Sequence, residues 1–176
     1  MTPPGFLNCA DAHVLVVGWG SIGQRHARLF ADIGAQVTIV SRRKDIQAVP
    51  NCTVVATIAD AATLDITYII LARETAAHFA DLMTLSQADW TRSIPILVEK
   101  PLVATTDEVA QVQTLPMNIK RQVHIGFNMR FLPVVMAARR TMAQDAPLIR
   151  ATFHSHSFLP HWRPAQDYRT TSSAQK

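Results

Sequence analysis

Residues 14–30 read VLVVGWGSIGQRHARLF, an apolar strand that runs through a Gly-x-Gly-x-x-Gly turn into a helix. Gly18 permits a tight turn at the end of the strand, and Gly20 leaves no side chain in the path of a phosphate. Gly23 allows the helix to approach the sheet, and the N–H groups at the helix start point toward an anion. This order of elements predicts a Rossmann-type dinucleotide-binding unit; the alternative is a glycine-rich turn in an unrelated α/β domain.

The helix after the glycines is predicted over residues 21–33. Its apolar residues recur at helical spacing, so we expect one face to pack against the sheet. The residues expected on that face are Ile22, Leu29, Phe30 and Ile33. The residues expected to contact the dinucleotide in this stretch are Gly18, Gly20, Ser21, Ile22 and Gly23.

Strand and helix patterns alternate along the first 125 residues, which favours a doubly wound parallel sheet covered by helices. The predicted strands lie near 13–18, 36–40, 52–56, 66–72, 94–99 and 121–127, and the predicted helices near 21–33, 75–88 and 105–115. Thr105 and Glu108 have the spacing of a capping box at the start of the last of these helices.

The pattern changes after Phe127, where a helix, a strand-like stretch over 148–153 and a loop rich in His, Pro and Trp follow. We predict a dinucleotide-binding domain over 1–125 and the incomplete beginning of a C-terminal, α+β substrate or oligomerisation domain over 126–176. About fifty residues are too few to form an independent core. We therefore expect 126–176 to be poorly held in isolation.

Composition and charge narrow the class of protein. The chain has 176 residues, 48% of them hydrophobic, and a formal net charge of +4 that comes from scattered basic residues without a nucleic-acid motif. No apolar run approaches the ~18 residues of a membrane span, and the N-terminus lacks the pattern of a signal peptide. Cys9 and Cys52 fit neither a disulfide framework nor a metal spacing. These features predict a cytoplasmic protein with reduced thiols that binds neither nucleic acid nor membrane.

The end of the second predicted strand bears on the choice of cofactor. In such folds a carboxylate at this place binds the ribose hydroxyls of NAD. Here Ser41, Arg42 and Arg43 follow the strand, and no acidic residue occurs before Asp45. Ser41 can hydrogen-bond a 2′-phosphate, and either arginine can pair with its charge. The sequence predicts a preference for NADP(H) over NAD, against the alternative of two solvated arginines on a surface loop.

Glu99, Lys100 and Pro101 follow the fifth predicted strand. Ligands of open α/β sheets lie beyond the carboxyl ends of the strands, so Lys100 should face the cofactor crevice. An ammonium group there can donate a hydrogen bond to a substrate hydroxyl or carbonyl oxygen. The alternative is a lysine that forms a salt bridge at the strand end.

Four motifs occur in a characteristic order: the glycine turn, RETAAH at 73–78, EKP at 99–101 and GFNMRF at 126–131. In this order they resemble the Gfo/Idh/MocA oxidoreductases, a family that includes glucose-fructose oxidoreductase and inositol dehydrogenase. The resemblance covers nearly the whole chain, and the Glu-Lys-Pro element is its most specific part. It implies hydride transfer between a nicotinamide cofactor and a carbon of a sugar, polyol or related small molecule.

The resemblance also implies roles for individual residues. Lys100 would be the catalytic residue that orients and polarises the reacting oxygen, with Glu99 positioning it. His78 would lie at the nicotinamide end of the crevice, although a histidine in the first turn of a helix is more often a surface residue. The Lys100–Pro101 bond is cis in some relatives. The other expected cofactor contacts are Ala72, Arg73, Pro101 and Asn128.

One family element does not occur in the chain. Family members continue into a sheet domain that supplies an Asp-x-x-x-His pair, and residues 151–176 contain no such pair. Asn128 and Arg130 would belong to the hinge between the domains. Two functions stay open: a truncated oxidoreductase that is weakly active or inactive alone, and a non-catalytic nucleotide-binding module such as a redox sensor or one subunit of a split assembly. The expected protein partner is a second copy of the chain or a complementing C-terminal half.

Three histidines near the C-terminus suggest a metal site. Strand alternation would place His154 and His156 on one face, with His161 nearby. No carboxylate or cysteine completes a first shell, so we predict no metal site here. We expect the apolar residues of this segment to pack against a sheet; they are Phe153, Phe158, Leu159 and Trp162.

Overall fold

The computed structural model of the chain describes residues 9–44, 46 and 49–142, together with positions 150, 152, 154, 158, 161, 167 and 169. The chain divides into two compact units, Met1–Asn128 and Met129–Lys176. This division falls close to the predicted boundary at 125/126.

Apolar runs in the first unit form six strands. They are β1 (His13–Val17), β2 (Gln36–Val40), β3 (Cys52–Val55), β4 (Tyr68–Leu71), β5 (Ile96–Val98) and β6 (Val123–Ile125). Every neighbouring pair is parallel, and the strand order is β3-β2-β1-β4-β5-β6. The order reverses between β1 and β4, which creates the switch point where ligands of such sheets bind. The predicted doubly wound parallel sheet is confirmed.

Helices connect the strands. They are α1 (Ser21–Asp32), α2 (Thr75–Gln87), α3 (Thr106–Thr114) and α4 (Met117–Gln122) in the first unit, and α5 (Pro133–Met142) in the second. The capping box of α3 is confirmed, because Thr105 Oγ1 accepts from the N–H of Glu108 and the Glu108 carboxylate accepts from the N–H of Thr105.

Helix α4 is a correction to the sequence prediction, which extended the last strand back to residue 121. The strand begins only at Val123, because Gln122 closes the last turn of α4. The side-chain amide of Gln122 donates to the carbonyl oxygens of Thr91 and Ile94, at 2.9 and 3.0 Å. Pro116 is the N-cap residue of the helix, one position before the first helical residue, where proline is favoured, so it is only a weak local indication of this short element.

The sheet is covered on both faces, so the central strands are apolar on both sides. On one face, Leu15 and Val17 pack in a cluster with Leu82 and Leu85 of α2. On the other face, Val14 and Val16 pack in a second cluster with Ala27 of α1. Alternate residues of β1 thus belong to different layers, which places the glycine turn at the end of a strand fixed from both sides.

The predicted apolar face of α1 is largely wrong. Ile22, Leu29 and Ile33 are exposed to 42%, 51% and 49%, whereas Gly23 and Ala27 are the buried residues of the helix. Of the predicted face, only Phe30 packs partly against the core. The helix lies so close to the sheet that only small side chains fit between them.

The second unit contains α5, on which several apolar side chains are exposed; they are Val134, Val135, Met136 and Met142. The predicted strand over 148–153 lies mostly outside the described residues. Four residues singled out in this segment lie wholly outside them: Phe153, His156, Leu159 and Trp162. Among the residues that the structure describes, no group of three or more His, Cys, Asp or Glu side chains could hold a metal ion. In the same part of the chain, no helix is long and apolar enough to cross a membrane.

Candidate functional site

The predicted site residues of the first unit follow the carboxyl ends of four neighbouring strands. Val17 lies in register with Val40 of β2 and with Leu71 of β4, and Leu71 lies in register with Val98 of β5. Because these strands are parallel, the segments that follow them emerge at one edge of the sheet. The fold thus brings together the glycine turn and the segments 41–43, 72–73 and 99–101 at that edge.

A different structural constraint accounts for the glycine at each of the three positions of the turn. Gly18 has a φ of +111°, and a Cβ there would lie 2.8 Å from Cγ of Arg73. A Cβ at Gly23 would lie 2.1 Å from the carbonyl oxygen of Gly18, so the helix could not approach the strand. Gly20 is extended, and apart from its two chain neighbours no described residue has an atom within 4 Å of its Cβ position. The space beside Gly20 is therefore open for a phosphate.

The start of α1 presents backbone donors at this open space. Gly20 is the N-cap and supplies no side-chain hydrogen bond, so the first N–H groups of the helix need another acceptor. Ser21 and Ile22 are exposed there. Trp19 is buried, and its carbonyl oxygen accepts from the side-chain amide of Gln24 at 3.4 Å, which anchors the turn. A diphosphate fits this arrangement of donors and positive helix dipole.

The segment after β2 carries positive charge at the same edge. The N–H of Ser41 donates to the carbonyl oxygen of Val55 at 2.9 Å, and Ser41 Oγ accepts from the N–H of Arg43 at 3.2 Å. The side chains of Arg42 and Arg43 are exposed. Asp45, the first acidic residue after the strand, lies outside the described residues. The described groups at the end of β2 are thus a hydroxyl and two guanidinium groups, with no carboxylate.

Arg73 joins the glycine turn to α2. Its guanidinium group donates to Asp81 at 3.0 Å and to Glu74 at 3.2 Å. Asp81 is buried, and its Oδ2 has no hydrogen-bond partner in the part of the chain that the structure describes. Burial raises the pKa of the Asp81 carboxyl, against the opposing effect of the Arg73 charge. Arg73 is thus oriented by an ion pair in which the carboxylate of Asp81 is buried and the side chain of Arg73 is exposed.

Only 1% of the surface of His78 is exposed, so the alternative of a surface histidine is wrong. Its Nδ1 lies 2.9 Å from the carbonyl oxygen of Pro101, and its Nε2 lies 3.0 Å from the carbonyl oxygen of Arg73. The imidazole ring therefore links the end of β4 to the segment after β5. The Lys100–Pro101 peptide bond is cis. A place for His78 beside a nicotinamide stays a prediction.

Glu99 contacts a residue that the sequence did not single out. Its Oε1 lies 2.8 Å from Nε2 of His26, and the two side chains are 21% and 20% exposed. His26 is in the middle of α1, and 73 positions separate it from Glu99. No local pattern connects the two residues, so only the tertiary structure reveals the pair.

The remaining predicted residues lie at the same edge or just beyond it. Lys100 is exposed, and within the described ranges it has no hydrogen-bond or ion-pair partner, which leaves the salt-bridge alternative without support there. Asn128 is exposed, and its N–H donates to the carbonyl oxygen of Gly126 at 2.9 Å. Ala72 is buried, and its N–H donates to the carbonyl oxygen of Val17.

Comparisons with known proteins agree with this geometry. The model of the Gfo/Idh/MocA family, described as an oxidoreductase family with an NAD-binding Rossmann fold, matches residues 12–127. A comparison with curated protein sequences gives no match.

Solved structures with the same fold include three dehydrogenases. UDP-N-acetylglucosamine 3-dehydrogenase GnnA from Acidithiobacillus ferrooxidans is 21% identical, with a TM-score of 0.60 over 74% of this chain and 43% of that chain. The WlbA (WbpB) dehydrogenase from Thermus thermophilus, in complex with NAD and UDP-GlcNAcA, is 17% identical, with a TM-score of 0.58 over 77% and 48%. Myo-inositol dehydrogenase from Lactobacillus casei, in complex with NAD(H) and myo-inositol, is 20% identical, with a TM-score of 0.59 over 74% and 40%. The chain thus spans less than half the length of each of these structures.

Proposed function

The chain belongs to the Gfo/Idh/MocA family of oxidoreductases, and on this premise we propose that it binds NADP(H) and forms the cofactor-binding part of a dehydrogenase that acts on a sugar, polyol or related compound. The observation that carries the proposal is the glycine turn at the switch point of the sheet, with a basic segment on one side and Glu99-Lys100-Pro101 on the other. The named relatives act on or bind a nucleotide sugar or inositol, according to their descriptions, and this supports the substrate class.

Cofactor binding would use the N-terminal amides of α1 for the diphosphate and the segment after β2 for the adenosine ribose. Ser41 would donate a hydrogen bond to a 2′-phosphate, and Arg42 or Arg43 would pair with its charge. A guanidinium group at this position offers little to the free 2′-hydroxyl of NAD. The chemistry of the segment therefore favours the phosphorylated cofactor.

When bound, the nicotinamide would supply the carbon that exchanges a hydride with the substrate. Lys100 would donate a hydrogen bond from its ammonium group to the reacting oxygen and so stabilise the charge that develops there. Its exposure and lack of a described partner support this role, because a paired ammonium would have to break an ion pair first. His78, by holding the carbonyl oxygen of Pro101, would restrict the segment that carries Lys100.

Fluorescence titration of the full chain with NADPH and with NADH tests the proposal. We expect NADPH to bind about tenfold more tightly, and Arg42→Ala to remove most of that difference, since a charge-assisted hydrogen bond contributes about 1.5–3 kcal/mol. Arg92→Ala is the matched control, because Arg92 is an exposed arginine that precedes β5, at the opposite edge of the sheet. NADH binding as tightly as NADPH would overturn the cofactor preference, and binding of neither would overturn the function.

A further inference from the structure

The contact between His26 and Glu99 joins the two elements on which the proposed function rests. His26 belongs to α1, the helix whose first amides face the open space beside Gly20. Glu99 immediately precedes Lys100 at the end of β5. The two side chains meet at Nε2 of His26 and Oε1 of Glu99, which lie 2.8 Å apart.

Glu99 is restricted on several sides. Its N–H donates to the carbonyl oxygen of Leu71 at 2.9 Å, which continues the pairing of β5 with β4. Its carboxylate packs against the end of β6, where a Cβ at Gly126 would lie 3.3 Å from Oε2. Gly126 is itself held by a hydrogen bond of 2.8 Å from its N–H to the carbonyl oxygen of Val98. His26 thus supplies the last restraint on a carboxylate that the backbone already confines.

We propose that His26 is a positioning residue for Lys100, acting through Glu99. By holding the Glu99 carboxylate against α1, His26 keeps this carboxylate from pairing with Lys100, its neighbour in sequence. The ammonium group of Lys100 is then available to the substrate oxygen. The same contact couples the helix that would bind the diphosphate to the segment that carries Lys100, so that cofactor binding and lysine placement depend on each other. This inference rests on the proposed function, whereas the NMR measurement that tests it does not.

The test measures the surroundings of Lys100 directly. Reductive methylation with carbon-13 formaldehyde places two labelled methyl groups on each lysine and keeps its charge. The lysines of the chain are Lys44, Lys100, Lys120 and Lys176, and Lys100→Arg assigns the Lys100 signal by its loss. The NMR shift of this signal reports the charge and hydrogen bonding around the amine, which a purely structural role of His26 would not change.

We expect His26→Leu to move the Lys100 signal and to weaken NADPH binding about fivefold. His26→Gln retains a donor that reaches the carboxylate and should restore most of both properties. Should His26→Leu fail to fold, His26→Asn replaces it, because the shorter amide does not reach Oε1 of Glu99.

His13→Leu is the matched control. His13 also forms a side-chain hydrogen bond of 2.8 Å, to Thr38, but it begins β1 and so lies at the opposite edge of the sheet. An unchanged Lys100 signal in His26→Leu, or an equal change in His13→Leu, would overturn the positioning role. Since the signal is recorded without cofactor, a wild-type chain that binds neither dinucleotide would refute the proposed function alone.

Discussion

Replacing Gly23 with alanine should destabilise the unit that carries the glycine turn. The added Cβ would lie 2.1 Å from the carbonyl oxygen of Gly18 and 2.9 Å from its carbonyl carbon. Both are backbone atoms at the end of a central strand, so α1 would have to move outward by roughly 1.5 Å to restore ordinary van der Waals contact. Overpacking of this kind costs about 1–3 kcal/mol. Because the overlap is with backbone, the cost falls in the upper part of this range, about 2–3 kcal/mol. The better helix propensity of alanine offsets about 1 kcal/mol, which leaves a net loss of about 1–2 kcal/mol.

Urea unfolding followed by tryptophan fluorescence measures this loss, because Trp19 in the same turn is buried. Gly20→Ala is the matched control, since among the described residues only the two chain neighbours of Gly20 approach its Cβ position within 4 Å. It should cost only about 0.5 kcal/mol as a poorer N-cap, yet weaken dinucleotide binding because the methyl group enters the phosphate space. A Gly23→Ala chain as stable as the wild type would refute the close approach of α1 to Gly18.

Two further predictions concern Asp81 and Thr105. Because burial raises the pKa of Asp81, the folded chain binds this proton more tightly than the unfolded chain. Its contribution to the unfolding free energy therefore falls as pH rises from about the ordinary value through the raised pKa. Subtracting the pH–stability curve of Asp81→Asn should expose this decline, and parallel curves would contradict it. Thr105→Ala should lower the unfolding free energy by about 1 kcal/mol through loss of the α3 cap; an equal loss in Thr106→Ala, which lies one residue past the cap, would argue against that cause.

The elements that local chemistry specifies could be predicted from the sequence. Short apolar runs bounded by polar residues predicted all six strands of the described sheet, most clearly for the central strands β1 and β4, because strands buried on both faces leave that pattern. The capping box of α3 needs only residues three positions apart, so it too was predictable. Helix α4 has six residues and one buried side chain, Ile119, which is too short for a periodic pattern to form. The apolar spacing of α1 predicts the wrong face. The closeness of Gly23 to Gly18 allows only small residues where the helix contacts the sheet.

The sequence by itself determined the class of protein, since the glycine turn and the Glu-Lys-Pro segment are contiguous motifs whose backbone demands can be read residue by residue. Only the tertiary structure decided what surrounds them: that His26 holds Glu99, that His78 is buried between two carbonyl oxygens, and that Asp81 orients Arg73. The physical reason is that two of these contacts join side chains to segments that come together only when parallel strands end at a common edge. Their energies depend on burial and distance, and neither quantity is defined until the chain has folded.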